Sequence, residues 1–206
     1  MSKNDQDTEQ KIKEAARKLF QQKGFAATKT RDIAEAADIN LALLNYYFRS
    51  KKKLYELIMV ETMRSFFGGL LHVLNNENTS LKDKVSVIVK YYMDLLEENQ
   101  NIASFIVNAV RENPEEYISQ FGLFDKMKGS VFVSQFKDGL EKGEIPQINP
   151  FHFLLNLIGL IVFPFIVQPM ITTVSKMPNE SYILMLQERR KLIPLWVDSM
   201  LKVNKY

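Results

Sequence analysis

Residues 29–48 read KTRDIAEAADINLALLNYYF, and their pattern decides the fold. Ile33 and Ala37 lie four residues apart, as on one buried face of a short helix, and a second short helical segment follows Asn40. Between the two segments, Asp38 predicts a tight turn with a positive φ, which Asp tolerates better than most residues do. Two short helices joined by such a turn are typical of a helix-turn-helix.

Helical spacing continues on both sides of this stretch. Residues 8–22 carry apolar side chains three and four apart and precede Gly24, which we expect to stop that helix. No convincing strand alternation occurs, and a break or kink is expected at Pro194 in the last helix. The sequence therefore predicts an all-α fold of about nine helices. The predicted helix caps are Asn40, Ser50, Ser80, Asn113 before Pro114, and Asn149 before Pro150.

Composition excludes several classes of function. The 206 residues include no cysteine and only two histidines, His72 and His152, so disulfide scaffolds, thiolate zinc sites and cysteine nucleophiles are excluded. Phosphate loops, nucleophile elbows, dinucleotide fingerprints and metal-ligand spacings are also missing from the sequence. We therefore expect no catalytic residue, no metal and no cofactor, and hence no enzyme.

Charge is unevenly distributed along the chain. Residues 1–55 hold 12 Lys or Arg against 7 Asp or Glu, whereas residues 56–206 hold 15 against 17. A basic first quarter indicates contact with a polyanion, although a chance distribution is the alternative. We expect a DNA-binding domain over residues 1–55, with the helix-turn-helix at about 29–48, and a second domain over residues 56–206.

The third helix is the expected reader of double-stranded DNA. In a helix-turn-helix the second helix of the motif enters the major groove, with its first residues at the base edges. Here that helix begins at Leu41, after Asn40. Ala34 is small enough for the two helices to cross closely, and Leu44 has the spacing to fill the gap beneath them.

Residues 8–55 resemble the DNA-binding domain of the TetR/AcrR family of transcriptional regulators. The resemblance extends weakly to the length and helix count of the whole chain. Many separate positions match at fixed spacing, which makes the resemblance specific. The matching residues are Ile12, Ala15-Ala16, Leu19-Phe20, Gly24-Phe25, Thr28, Asp32-Ile33-Ala34, Ala37, Ile39, Leu44, Tyr47-Phe48, Lys51 and Leu54-Tyr55.

The resemblance implies roles for individual side chains. Arg31 aligns with a position that often contacts a base, and Arg pairs bidentately with guanine; a solvated surface charge is the alternative. Lys29, Thr30, Tyr47 and Lys51 align with positions that hold phosphates, contacts that fix register and carry no sequence information. Lys29 departs from the Ser or Thr usual there, which leaves the exact start of the second helix open.

The third helix departs further from the family pattern. Many members have Gly-Thr-Leu-Tyr where this chain has Ala42-Leu-Leu-Asn45, and Leu41 replaces a residue that is often polar. Asn45 suits adenine, and Leu41 and Ala42 suit a thymine methyl, so we expect some A·T content in each half-site. Alternatively, Leu41 and Leu43 pack against the fourth helix. Asn40 and Tyr46 complete the predicted DNA contacts.

Residues 56–206 resemble the family's ligand-binding and dimerisation domain in architecture. This implies a small hydrophobic effector bound between helices, although side chains at helical spacing are more often core. Gly68-Gly69 inside the fourth helix predicts a kink, a hinge or a close approach of another group. The candidate effector contacts are Met63, Phe66, Phe67, Tyr91, Tyr92, Phe105, Phe121, Phe124 and Met127.

The last two helices are expected to pair with those of a second subunit, as the resemblance implies. This accounts for the uncharged, mostly apolar residues 151–171 without a membrane, although the stretch is long enough to span one. The first ten residues lack an apolar segment, so a cytoplasmic location is expected. For the residues of the last helix, packing in the chain's own core is the alternative. The candidate interface residues are Phe153, Leu157, Leu160, Ile161, Leu192, Leu195 and Trp196.

Taken together, the sequence predicts a ligand-responsive transcriptional regulator. We expect a repressor that binds a palindromic operator as a homodimer and is released by a small, hydrophobic effector. The alternatives are a DNA-binding regulator with a filled core and no effector, or an all-α enzyme.

Overall fold

The computed structural model describes residues 3–119 and 122–202, which contain α-helices and no strand. The all-α prediction is confirmed. The helix count exceeds the predicted nine or so because the short α7 and α8 stand between longer helices. The eleven helices of these described ranges are α1 (Lys3–Ala27), α2 (Thr30–Ala36), α3 (Leu41–Tyr47), α4 (Lys51–Leu74), α5 (Leu81–Glu98), α6 (Ile102–Glu112), α7 (Pro114–Ser119), α8 (Leu123–Lys128), α9 (Val131–Glu141), α10 (Pro150–Ser175) and α11 (Asn179–Met200).

The chain divides into two compact units. The first contains Met1–Ser65 and Ser104–Tyr117, and the second contains Phe66–Ala103 and Ile118–Tyr206. The helices α4, α6 and α7 therefore contribute residues to both units. The functional division predicted at residue 55 stays a prediction.

The first unit is built around the buried face of α1. Ile12, Ala16 and Phe20 on that face are almost completely buried, as their spacing predicts. Gly24 adopts a φ of 76°, a left-handed conformation that interrupts the helix at the predicted position. The buried Thr28 then donates its hydroxyl to the carbonyl of Gly24 at 2.8 Å. This contact satisfies a carbonyl that the end of the helix leaves open.

The helix-turn-helix has the expected turn. Asp38 has a φ of 55°, as predicted. The N–H of Ile39 donates to the carbonyl of Ala34 at 3.0 Å, which closes the turn after α2. Asn40 then caps α3, because its Oδ1 accepts from the N–H of Leu43 at 2.8 Å. Turn and cap together fix where α3 begins.

The second unit contains a helix start of the predicted kind. Ser80 Oγ accepts from the N–H of Asp83 at 3.2 Å, while Asp83 accepts from the N–H of Ser80 at 3.2 Å. Hydrogen bonds from Ser80 also hold the pKa of Asp83 below its ordinary value. Beside this cap, Lys84 is fully buried, and its ammonium donates to the carbonyls of Asn76 and Thr79. Lys84 thereby ties the loop before α5 to that helix.

The two prolines inside α10 do not interrupt it, and α11 likewise continues through Pro194, where a break or kink was expected. Pro164 has no N–H, so the carbonyl of Leu160, four residues earlier, loses its helical donor. Arg189 of α11 supplies one instead, from Nη2 to Leu160 O at 2.8 Å. Tyr182 donates its hydroxyl to Pro164 O at 2.7 Å. These two bonds join α11 to α10 at the proline.

Two helices of the described ranges, Lys51–Leu74 and Pro150–Ser175, are long and apolar enough to cross a membrane by length and composition alone. In α10 one face is occupied by protein, since Phe153, Leu157 and Phe165 are buried within the chain. A core helix of this kind passes the same length and composition test.

Candidate nucleic-acid interface

One face of α3 is open to solvent and uncharged. Ala42 and Asn45 are exposed, Tyr46 is 78% exposed, and Leu41 is half-buried. Ala42 lies three positions before Asn45 and four before Tyr46, and Leu41 lies four before Asn45, so their side chains are neighbours on one side of the helix. We call Leu41, Ala42, Asn45 and Tyr46 the readout face. On the opposite side of the helix, Leu44 is buried in the core of the first unit.

The two asparagines predicted to contact DNA differ in how their side chains are used. Asn40 is committed to the cap of α3 through its Oδ1. Asn45 is exposed, and within the part of the chain that the structure describes its amide makes no hydrogen bond. Asn45 therefore keeps both a donor and an acceptor for another molecule.

Tyr47 at the end of α3 is engaged within the chain. Its hydroxyl donates to Asp5 Oδ1 of α1 at 3.2 Å. Burial raises the pKa of Tyr47, and the hydrogen bond and negative charge of Asp5 raise it further. Tyr47 is thus a neutral donor at neutral pH, and contact with a DNA phosphate requires it to leave Asp5.

Lys51 has a structural role that the sequence prediction missed. Its ammonium donates to the carbonyls of Phe25 and Thr28 at 2.8 and 2.9 Å and lies 4.2 Å from the centroid of the Phe25 ring. Two of its three N–H donors are therefore used at the end of α1, which leaves one for a phosphate. The predicted contact of Lys51 with a phosphate stays a prediction.

The start of α2 presents the remaining predicted contacts. Lys29 is the residue before the helix, and its N–H donates to Asp32 Oδ2 at 3.3 Å. Helix α2 therefore begins at Thr30. Lys29 and Arg31 are exposed and Thr30 is half-buried. Within the described ranges Arg31 forms no ion pair, so its guanidinium remains open to an anion or a base.

The candidate effector contacts do not form one group. Met63 and Phe105 belong to the first unit, where the Phe105 ring packs 5.6 Å from that of Tyr55. Tyr91 and Met127 are half-buried in the second unit. Phe121 lies outside the described residues, and the side chain of Phe124 in α8 lies outside the described part as well.

Three other candidates meet at a small cavity in the second unit, Phe66, Phe67 and Tyr92. The cavity has a volume of about 30 Å³, room for one or two water-sized groups. Tyr92 donates its hydroxyl to Phe66 O at 2.7 Å, and burial raises the pKa of Tyr92. The remaining lining residues are all apolar: Leu70, Ile158, Ile161 and Val162.

The predicted interface residues divide into two groups. Phe153, Leu157 and Ile161 are buried within the chain, so they pack in its own core and are not available to a second copy; this corrects the prediction for them. Leu160 is half-buried. The predicted residues of α11 are instead exposed. The large apolar side chains exposed on α10 and α11 are Leu155, Phe163, Met170, Val174, Leu184, Leu192, Leu195 and Trp196.

Two side chains that matter to these sites were not foreseen, Asp5 and Arg189. Asp5 precedes the matched region, and nothing in its spacing indicates a contact with Tyr47, 42 residues later. The sequence does contain a signal for the role of Arg189, because Pro164 within a long helix predicts an unpaired carbonyl that needs a donor. Among the described residues, no group of three or more acidic, His or Cys side chains is placed to hold a metal ion.

Comparison with known proteins gives the same fold and class. The family described as bacterial regulatory proteins, tetR family, matches residues 12–58. The probable HTH-type transcriptional regulator YttP of Bacillus subtilis is 27% identical over 202 residues, which cover 96% of this chain and 95% of YttP. IcaR of Staphylococcus aureus, a negative transcriptional regulator of the biofilm operon icaADBC, is 29% identical over 52% of this chain and 55% of IcaR.

Solved structures share the architecture. A regulatory protein of the tetR family from Rhodococcus RHA1 superposes with a TM-score of 0.66 at 20% identity, covering 100% of both chains. HlyIIR, a hemolysin II transcriptional regulator, has a TM-score of 0.58 at 20% identity, covering 82% of this chain and 93% of its own. Fold, helix-turn-helix and relatives agree: residues 12–58 match the tetR family model, the chain is similar over nearly its whole length to an HTH-type transcriptional regulator, and it is a DNA-binding transcriptional regulator.

Proposed function

We propose that the chain is a repressor that binds a palindromic operator as a homodimer in the cytoplasm. The observation that carries this proposal is that one chain has both an uncharged, exposed readout face on α3 and exposed apolar side chains on α10 and α11. Two identical readers related by a two-fold axis match a palindrome. Repression is the role of IcaR, a negative transcriptional regulator that is similar to part of this chain.

Association through α10 and α11 is supported by the spacing of the exposed residues. Leu184, Leu192 and Leu195 lie with Glu188 at three- and four-residue intervals along one stripe of α11. Leu195 is 63% exposed. Leu192 and Leu195 are direct neighbours on this stripe, and clustered exposed apolar side chains mark interaction surfaces. A second copy of the chain is the occupant proposed for them.

Sedimentation of the purified chain tests the dimer. Wild-type protein is expected to sediment at twice its 23.9 kDa mass at micromolar concentration. Leu195→Glu places a charge on the proposed interface and is expected to produce monomers. Val87→Glu is the matched control, since Val87 is also exposed and apolar but lies on α5. Equal dissociation of both variants, or a monomeric wild type, contradicts the proposed interface.

The effector is the second part of the proposal. The cavity beside Phe66, Phe67 and Tyr92 has the apolar lining that a hydrophobic effector needs. Its volume of about 30 Å³ is far below the roughly 300 Å³ of common ligand sites, so binding requires the cavity to open. This small volume favours the second candidate function, a regulator with a filled core and no effector.

A fluorescent apolar probe distinguishes the two candidates. We expect 1-anilinonaphthalene-8-sulfonate to bind the second unit and to release the protein from its DNA. Ile158→Trp fills the cavity from a half-buried lining position and is expected to abolish both effects. Val87→Trp, at an exposed apolar position of α5 outside the proposed interface, is the control. Release of DNA that Ile158→Trp leaves unchanged contradicts an effector site in this cavity.

The upstream DNA of the gene is the natural probe for repression. A gel shift at stated salt is expected to reveal a palindromic site there, and a reporter driven by that DNA is expected to fall when the protein is present. A reporter that rises on addition of the protein contradicts repression and indicates activation.

A further inference from the structure

The chemistry of the readout face restricts which bases it suits. No Lys or Arg occurs in α3 (Leu41–Tyr47), so the helix lacks the side chains that most often pair bidentately with guanine O6 and N7. Arg31 of α2 is exposed and supplies such a group outside α3. The polar groups that remain exposed on the readout face are the Asn45 amide and the Tyr46 hydroxyl.

Asn45 has the amide geometry that adenine requires. A bidentate contact uses the amide oxygen for the N6 amino group and the amide nitrogen for N7. Both atoms of Asn45 are free of hydrogen bonds within the described residues, and the side chain is exposed. The other amide at this end of the motif, Asn40, already uses its oxygen to accept from Leu43.

The neighbours of Asn45 are apolar. Ala42 lies three residues before it and is exposed, and Leu41 lies four residues before it and is half-buried. Methyl and isobutyl groups match the C5 methyl of thymine, which is the apolar feature of the major groove. One face of α3 thus combines an adenine partner with a thymine-methyl partner.

We propose that Asn45 reads an adenine in each operator half-site while Ala42 and Leu41 contact the methyl of an adjacent thymine. The inference rests on the proposed insertion of α3 into the major groove. It makes Asn45 the residue that determines specificity at one base pair and assigns the operator an A·T step at that position. Any guanine preference then comes from Arg31, at a different base pair.

Selection from a random DNA pool at fixed salt tests the proposal with the full-length chain. Wild type is expected to select a palindrome with an A·T pair at one fixed position in each half. Asn45→Ala is expected to lose the preference at that position alone and to bind the selected site about 5- to 100-fold more weakly. Asn108→Ala removes the same amide from an exposed position of α6 and is expected to change neither. Circular dichroism checks that both variants are folded.

Base analogues then test the individual atoms. Replacing the selected adenine by 7-deazaadenine removes the N7 acceptor, and replacing the thymine by uracil removes the methyl. We expect 7-deazaadenine to weaken DNA binding by wild type but not by Asn45→Ala. We expect uracil to weaken DNA binding by wild type but not by Ala42→Gly.

Two results overturn the inference and leave the proposed function standing. They are selection of G·C at the position sensitive to Asn45→Ala, and an unchanged A·T preference in that variant. Wild-type protein that selects no sequence at all overturns the proposed function and the inference with it.

Discussion

The hydroxyl of Tyr47 at the end of the recognition helix α3 donates to the carboxylate of Asp5 at 3.2 Å. The contact holds the first turns of α1 against α3 within one compact unit. It also places a negative charge beside the helix proposed to meet a polyanion. Tyr47 cannot donate the same proton to Asp5 and to a phosphate, so the two acceptors compete for it.

Removing the charge of Asp5 is expected to strengthen DNA binding. Asp5→Asn eliminates repulsion of the phosphates and weakens the competing acceptor, and the gain is about two- to fivefold at low salt, the size of a surface charge effect. Fluorescence anisotropy on the selected operator measures it. Asp7→Asn is the control, since Asp7 is exposed on the same helix. An affinity that stays constant or falls in Asp5→Asn contradicts the competition.

The adjacent glycines of α4 are expected to respond oppositely to alanine. A Cβ on Gly68 meets open space, whereas one on Gly69 would lie 2.4 Å from Cζ of Tyr91. Gly68→Ala is expected to stabilise the helix by up to about 1 kcal/mol. Gly69→Ala displaces the Tyr91 ring and is expected to lower the free energy of unfolding by about 1–3 kcal/mol. Urea unfolding followed by the fluorescence of Trp196, the single tryptophan, measures both.

A second substitution, at Tyr91, shows whether contact with its ring causes the loss of stability in Gly69→Ala. In a Tyr91→Ala background, Gly69→Ala is expected to be neutral or stabilising, and persistence of its full cost there would count against the ring contact. The contact geometry supports the close approach expected at these glycines. The hinge stays a prediction, and it fails if Gly68→Ala with Gly69→Ala leaves effector-induced release of DNA unchanged.

The proline in α10 and the arginine in α11 are expected to be energetically coupled. Arg189→Met leaves the Leu160 carbonyl without a donor and is expected to cost about 1–2 kcal/mol. In a Pro164→Ala background residue 164 regains its N–H, which bonds Leu160 by the ordinary helical pattern. In that background we expect Arg189→Met to lower the free energy of unfolding by less than half as much. A double-mutant cycle with additive losses contradicts the pairing.

Stability is expected to fall at alkaline pH. Burial raises the pKa of Tyr92 above the ordinary value of 10.0, so the folded state binds a proton that the unfolded state releases. The stabilisation is complete below pH 10 and is lost as pH rises from there towards the folded-state pKa. The limiting slope is about 1.4 kcal/mol per pH unit for one such group.

Urea midpoints measured by circular dichroism from pH 8 to 11 test this titration. Tyr92→Phe is expected to lower stability at pH 8 by about 1 kcal/mol, through the lost bond to Phe66, and to reduce the alkaline slope. Tyr46→Phe, at an exposed position, is expected to leave the slope unchanged. Equal slopes for wild type and Tyr92→Phe would mean that Tyr92 is not the group responsible.

The parts of the fold that the sequence predicts well are the ones set by local chemistry. Asp38 has its positive φ, and Ser80 and Asn149 cap their helices, because a cap or turn depends on residues within four positions. The helices α7 and α8 were harder to recognise, since six residues give too few repeats for a periodic pattern.

Side-chain partners distant in sequence were beyond prediction. Lys51 matches a phosphate-binding position by resemblance, but the carbonyls that hold it belong to Phe25 and Thr28. Phe153 and Leu157 are as apolar as exposed Leu155, and only the rotation of α10 decides which of them is buried. Composition does not indicate which face of α10 is buried, because α10 is apolar on all sides.

The central claim is that two copies of the chain bind DNA through the readout faces of their α3 helices. A hydroxyl-radical footprint of the full-length protein on its selected site tests this most directly. We predict two symmetric protected regions centred about one helical turn, or a whole multiple of it, apart. Both are predicted to disappear in Ala42→Glu, which places a carboxylate on the readout face. A single asymmetric protected region, or a footprint that Ala42→Glu leaves intact, would contradict the claim.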